Sequence, residues 1–554
     1  MTSRRFMLGG LGGVMLSSNL GGCYAAEPGL RPDLTDGAID IHTHFFNGRD
    51  VPAIGFLQQT FLRDPHANAD PDMISTAFLK LLKTILLIGT PTAKHELAIV
   101  RGGAPIAPPD IIERRDQENV AIALSEYAAG AVPDPAGLRV TPSDESRILD
   151  RIAQEVDQVS LRTGLLTPRQ QARTLADEIY AKGAPGALTR GTQQEYRHVS
   201  PFLQSIRWAG LLTRGRRDIL AEMQRLYGGK TGVRVFSPSI VDFTYWFKTT
   251  ENDVESVADQ IEVVSAIVKG YQNALVLPFA PFCPLRAALE REAHPDWDSL
   301  RNVKQAIRNL GFAGVKIYPP MGFKPIGNDA DVSKWARRAP KGGGPALDRE
   351  LERLYAWCVQ NGVPIKAHAT NSMGAGADTG RFAAPEEWRN VLSRPEFKEL
   401  RVNLAHFGRF METAPDAGKP AEQDWEETIA GMIEDFPGLY FDLGYWPVAT
   451  EPNSADRARV MTRMREMIAR VPLVAERMMY GSDWSMTGRV PGHQAYSARV
   501  LESLGELGFS GDRLQAVMGG NAARYLGLTG TAVQHARLAT FFAGHPIFEE
   551  LFSS

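Results

Sequence analysis

Cysteine is scarce: the 554-residue chain has three, too few for disulfides to organise a fold of this length. Beyond Cys23 only Cys283 and Cys358 remain, 75 positions apart, and both read as buried thiols. No segment offers the ~18 uninterrupted apolar residues that a membrane-crossing helix needs, and no repeat of solenoid period is present. An excess of one charge is lacking too, since 61 Lys and Arg face 64 Asp and Glu. Without a positive field there is no electrostatic footprint for nucleic acid, and a small-molecule substrate is the expected partner. The chain is rich instead in hydrophobic residues, 44% of the total, enough to bury a large core.

Residues 1–26 read as an export signal rather than as part of the fold. Arg4-Arg5 before Phe6-Met7-Leu8 resembles a twin-arginine signal, and Leu20-Gly21-Gly22-Cys23 resembles a bacterial lipobox, in which Cys23 is acylated. The expectation is an exported protein, periplasmic or held at a membrane only through a lipid on Cys23. Nothing in the sequence excludes association with further copies of itself.

Eight β-rich runs punctuate the chain: 38–44, 233–241, 274–282, 314–320, 363–369, 400–408, 438–444 and 477–483. Helix-compatible segments separate them, such as 251–272, 347–362 and 455–471. Strands alternating with helices in this number predict an α/β fold, a parallel (β/α)8 TIM barrel spanning 27–47 and 232–529. The interval between the first two runs is far longer than a βα connection needs. Residues 48–231 are therefore expected to form a large, mainly helical insertion, with helices near 73–89, 118–131 and 170–182, capping the C-terminal face. A glycine run, Gly342-Gly343-Gly344, marks 321–346 as a mobile loop, and 530–554 reads as a C-terminal tail.

The strand ends carry the chemistry. "IDIHTH" puts Asp40, His42 and His44 on one strand face, pointing inward. Lys316 lies on the fourth run, His368 closes the fifth, His406 the sixth and Asp483 the eighth. Parallel strands bring these ends to one rim. Imidazoles with a carboxylate suit zinc or another divalent transition metal, with an open position for an activated water. Lys366, two positions before His368, also points inward, and Asp40 is its expected partner in a buried pair supporting the ligands. Asp442, Tyr445 and Trp446 end the seventh run and are candidates to line a pocket; Arg214, Arg216 and Arg217 read as a solvated basic turn.

The elements "DIHTH", "GFAGVKIYPP", "VPIKAHAT", "VNLAHFG", "MYGSDW" and "GGNAARYLGL", in this order, resemble the amidohydrolase superfamily. The likeness is to its amidohydrolase-related branch, which includes decarboxylases of the aminocarboxymuconate semialdehyde type. The resemblance implies that His42, His44, His368 and Asp483 hold a metal, usually zinc, with one ion favoured over two. In two-metal members the lysine matching Lys316 is carboxylated and bridges the ions, and His406 then binds the second. Asp483 would move protons between water and leaving group while His406 stabilises an oxyanion. Hydrolysis of an amide, ester or lactone is the activity expected, ahead of nonoxidative decarboxylation on the same ligands. A non-catalytic surface lipoprotein is the remaining alternative, and it would not be expected to keep a complete ligand set.

Overall fold

The computed structural model describes residues 37–62, 70–131, 140–156, 167–181, 199–228, 232–247, 254–328, 334, 336–371, 374–376, 379–410, 425–529 and 532–552. The proposed export signal, with Cys23, lies outside the described residues. Cys283 and Cys358 are free and buried.

Each of the eight runs contains a strand. They are β1 (Ala38–Thr43), β2 (Val233–Pro238), β3 (Leu275–Val276), β4 (Phe279–Pro281), β5 (Gly314–Ile317), β6 (Ile365–His368), β7 (Val402–Ala405), β8 (Leu439–Asp442) and β9 (Met478–Met479). Strands β3 and β4 are two pieces of one run, parted at Pro278, which has no N–H to give a ladder. All pairings are parallel and follow chain order, β1-β2-β3 and β4 through β9. Parallel bridges at Ser239 to Phe279 and at Thr43 to Trp484 connect the two rows. The first and last strands also meet directly, since the Ile41 N–H donates to the Tyr480 carbonyl at 3.1 Å. Residues such as Val235, Ile365, Leu404 and Phe441 are fully buried, as expected of parallel strands covered on both faces.

Between β1 and β2 the described residues form eight helices: Ala53–Leu62, Thr76–Leu87, Ala93–Arg101, Pro109–Ala128, Pro142–Glu155, Pro168–Ala181, Pro201–Leu211 and Arg216–Tyr227. Ser75, Thr92, Thr141 and Ser200 cap four of them by accepting a backbone N–H from the first turn. Phe78 and Phe202 stack at 4.5 Å between two of these helices. The expected basic turn is not solvated. Arg216 is fully buried and its guanidinium donates to both Asp50 oxygens (2.6 and 2.9 Å) and to Glu96 (2.8 Å), while Arg214 pairs with Asp116. Burying a guanidinium requires carboxylates on its fork, and residues distant in sequence supply them.

Two further expectations are corrected. The helix Gly343–Asn361 starts inside the glycine run that was read as loop. The C-terminal residues are not a loose tail. The helices Val533–Phe541 and Pro546–Phe552 pack against residues at the strand starts: His545 bonds the Tyr271 carbonyl at 3.1 Å, and Glu550 pairs with Arg234.

Candidate metal centre

The imidazole nearest the sheet interior is His42, with no solvent exposure. Its Nδ1 lies 3.1 Å from Asp442 Oδ1. A carboxylate only accepts, so Nδ1 carries the hydrogen and Nε2 is left with its lone pair. His44 is oriented the same way by the Ser239 carbonyl, 2.9 Å from its Nδ1, and His406 by the Gly444 carbonyl at 2.8 Å. Three acceptors thus leave three Nε2 lone pairs, and those of His42 and His44 converge on Asp483. His406 Nε2 meets His368 Nδ1 at 3.1 Å, which makes His368 the donor there.

Asp483 completes the group. Its Oδ1 is 3.5 Å from His42 Nε2 and 3.3 Å from His44 Nε2. All three atoms are acceptors, and His42 Nε2 has no hydrogen-bond partner. A cation between them would reconcile the arrangement. A proton on His42 does not serve, because burial pushes its pKa down to about 3. A tetrahedral ion ~2.1 Å from each donor would hold the donors roughly 3.4 Å apart, so the residues present fit a zinc-like metal. His42, His44 and Asp483 form one group of atoms within 4.8 Å of one another, and His42, His406 and Asp442 form another. His368 joins neither group; it stands beside His406, with Tyr318 stacked on its ring at 4.3 Å.

The backbone at the site is under strain. Asp483 and His406 have φ of 56° and 72°, the left-handed region that non-glycine residues avoid. For Asp483 the conformation is fixed by its own N–H, which donates to the His42 carbonyl at 2.6 Å, and by the His44 N–H, which donates to the Trp484 carbonyl. Two glycines make the close approach feasible: a Cβ at Gly444 would sit 2.9 Å from both His42 Nδ1 and Asp442 Oδ1, and one at Gly481 would be 2.9 Å from the His42 Cβ.

Beneath the ligands the charges are arranged differently from the expectation. Asp40 and Lys366 form no ion pair. Lys366 Nζ donates to the Ser237 carbonyl (2.8 Å) and Ser239 Oγ (3.0 Å) and lies 4.0 Å over the Phe279 ring, which together replace a carboxylate partner. Asp40 Oδ1 instead accepts the N–H groups of His42 (3.2 Å) and Ser482 (2.9 Å), tying β1 to the segment after β9. Burial raises the Asp40 carboxyl to about 7. Lys316 Nζ is buried without a hydrogen-bond partner, and burial lowers it to about 8.

Asp442, expected to line a pocket, has a more central position. Its Oδ1 accepts from His42, from the His406 N–H (3.1 Å) and from the Gly444 N–H (2.9 Å), while Oδ2 takes the Asn403 amide at 2.7 Å. Burial raises its pKa, but His42, His406 and Asn403 outweigh that and hold it ionised below the usual carboxylate range. Trp446 is buried, its backbone N–H given to the Tyr496 hydroxyl. On the other side, ring centroids 4.3 to 6.4 Å apart run from His44 through Phe46, Phe56, Phe243 and Tyr318 to His368. Phe56 comes from the helical insertion, which therefore faces the imidazoles across the site.

An α/β protein with a parallel sheet and a buried His/Asp cluster at its strand ends belongs among metal-dependent enzymes. Residues 286–528 match the amidohydrolase family model, so this part of the chain is similar to that family. The match begins after β4, so His42, His44 and the insertion precede it. Among solved structures, an amidohydrolase from Burkholderia multivorans with bound zinc is 13% identical, covering 56% of this chain and 92% of that one with a TM-score of 0.35. A 5-carboxyvanillate decarboxylase from Novosphingobium aromaticivorans, complexed with manganese and a nitrobenzoic acid, is 12% identical, covering 69% and 92% with a TM-score of 0.31. No curated protein matches the chain.

Proposed function

We propose that the chain is a metal-dependent hydrolase, built on a closed (β/α)8 barrel under a helical cap, that cleaves an amide, ester or lactone bond of a small molecule. The observation that carries this reading is the convergence of His42 Nε2, His44 Nε2 and Asp483 Oδ1, with His42 Nε2 lacking any hydrogen-bond partner. These residues would hold the ion, with His368 completing the set. A bound divalent ion, zinc by donor type, lowers the pKa of a coordinated water toward neutrality.

The chain's own groups do the rest. Asp483, ionised because its imidazole neighbours outweigh burial, accepts a proton from the water and returns it to the leaving group. His406 has Nε2 as an acceptor, because Nδ1 is committed to Gly444, and in this structure that lone pair takes the His368 Nδ1–H, so His406 is poorly suited to donate to an oxyanion. Lys316, a buried ammonium without a hydrogen bond, is better suited to offset developing negative charge. The same lysine favours a second reading, nonoxidative decarboxylation: lowered to about 8, it holds a transferable proton at neutral pH for a substrate carbon from which CO2 departs. Export through residues 1–26 with acylation at Cys23 belongs to the same proposal and is read from the mass of the mature protein.

Metal analysis of the purified protein tests the reading. Stoichiometric metal, lost in His42→Ala and Asp483→Ala, is the expected result, and metal-free wild type after zinc reconstitution would sink it. With substrates in hand, released CO2 against a new acid or amine separates the two chemistries.

A further inference from the structure

The helical insertion does more than cover the site. Its helix Pro201–Leu211 reaches both loops that carry the converging ligands. Beyond β9, Trp208 Nε1 donates to the Ser485 carbonyl at 3.0 Å and Gln204 Nε2 donates to the Gly488 carbonyl at 2.6 Å. These carbonyls lie two and five residues after Asp483. Both side chains are buried, at 1% and 7% exposure. Beyond β1, the Gly48 N–H donates at 2.9 Å to the carbonyl of Leu212, which ends the same helix.

The loop so held needs holding. It begins with Asp483 in a left-handed conformation, a state that costs on the order of 1–3 kcal/mol and persists only where its surroundings over-determine it. On its inner side the loop is tied to β1 through the Asp483 N–H and the Trp484 carbonyl. On its outer side the ties are Trp208 and Gln204. Trp208 also lies beside the loop, since a Cβ at Gly488 would be in ordinary contact with Trp208 Cδ1 at 3.4 Å.

We infer that Trp208 and Gln204 are positioning residues for the metal centre: the insertion supplies, from outside the sheet, the outer half of the clamp that fixes Asp483 against His42 and His44. The inference rests on the metal reading above. It makes metal retention a property of the insertion as well as of the ligands.

The test compares zinc dissociation constants, measured by chelator competition on full-length protein, for wild type, Trp208→Phe, Gln204→Leu and the double variant. Trp208→Phe keeps a ring and removes only the N–H. Tyr127→Phe is the control, because Tyr127 OH donates to the Ala77 carbonyl at 2.9 Å within the insertion, away from the loop. The expected result is zinc binding weakened about tenfold or more in the double variant, as for other supports of metal ligands, with Tyr127→Phe within about twofold of wild type at a comparable loss of urea stability. Unchanged affinity in the double variant overturns the inference, and so does an equal loss in Tyr127→Phe, which would reduce the effect to general destabilisation. Wild type that binds no zinc overturns the metal reading itself and this inference with it, a result visible before any variant is made.

Discussion

Asp442 Oδ1 lies 3.1 Å from His42 Nδ1 and also accepts the backbone N–H groups of His406 and Gly444. One carboxylate oxygen therefore fixes the tautomer of one imidazole and the backbone position of another. Asp442→Ala is expected to weaken zinc binding about 10- to 100-fold, the range typical for partners that orient metal ligands. Chelator competition measures it, and a variant with wild-type affinity would remove Asp442 from the centre.

Gly444 gives a steric counterpart. A methyl group there collides with both members of the His42 and Asp442 pair at 2.9 Å. Gly444→Ala should lower metal content in purified protein toward that of His42→Ala, as measured by elemental analysis.

The metal-free protein should be sensitive to acid. His42 is lowered from 6.5 to about 3 by burial, and burial also lowers His368 and His406. Between those values the unfolded chain binds protons that the folded chain refuses, so stability is full above about 6.5 and falls as pH drops toward 3. Asp40, raised to about 7, acts in the opposite sense, its protonated form favouring the fold below that pH. Asp116, raised to about 6, and Asp218, also raised, act as Asp40 does, while His493, lowered to about 4, joins the three rings. The four histidines are expected to outweigh these carboxyls, and the urea midpoint of the metal-free protein to be higher at pH ~7.5 than at pH ~5. Equal midpoints would mean that these rings are protonated in the fold.

A Lys316 variant distinguishes one ion from two. With one ion, Lys316→Ala keeps about one equivalent of metal, as wild type does; with two, metal falls from about two equivalents on substitution. The single-ion outcome is expected, because the three converging donors define one position.

Arg216 anchors the insertion. Arg216→Ala would leave Asp50 and Glu96 buried without their cation, and a loss of about 3–5 kcal/mol in unfolding free energy is expected. Urea denaturation checks it; a shift under about 1 kcal/mol would mean that water reaches the carboxylates.

The convergence of His42, His44 and Asp483 was legible because strand periodicity fixes which face a residue takes, and the parallel order fixes which ends meet: "DIHTH" and "YGSD" are brought together by that rule. The role of Asp442 was not, since its partner lies 400 positions away and no local pattern links "FDLG" to a particular histidine. Gly444 was the available signal, a small residue next to an inward carboxylate. Asp40 and Lys366 were expected to pair because opposite charges at equal depth attract, but burial, with Lys316 nearby, holds the Lys366 amine well below its ordinary pKa, and a carbonyl, a hydroxyl and an aromatic face surround it in place of a carboxylate. The insertion's helices follow from their periodicity, whereas the contacts of Arg216 and Trp208 are tertiary and leave no trace in it.

The two ends of the ligand set are as far apart in the chain as the sheet allows, His42 on β1 and Asp483 just past β9. A chain emerging from its N-terminus makes its first two ligands at the start and the third only after nearly everything else exists. On the proposed metal reading, an ion bridging them would require that the last strand has returned to the first. A chain cut before Asp483 would then keep two histidines without the carboxylate, and metal content would separate finished molecules from incomplete ones.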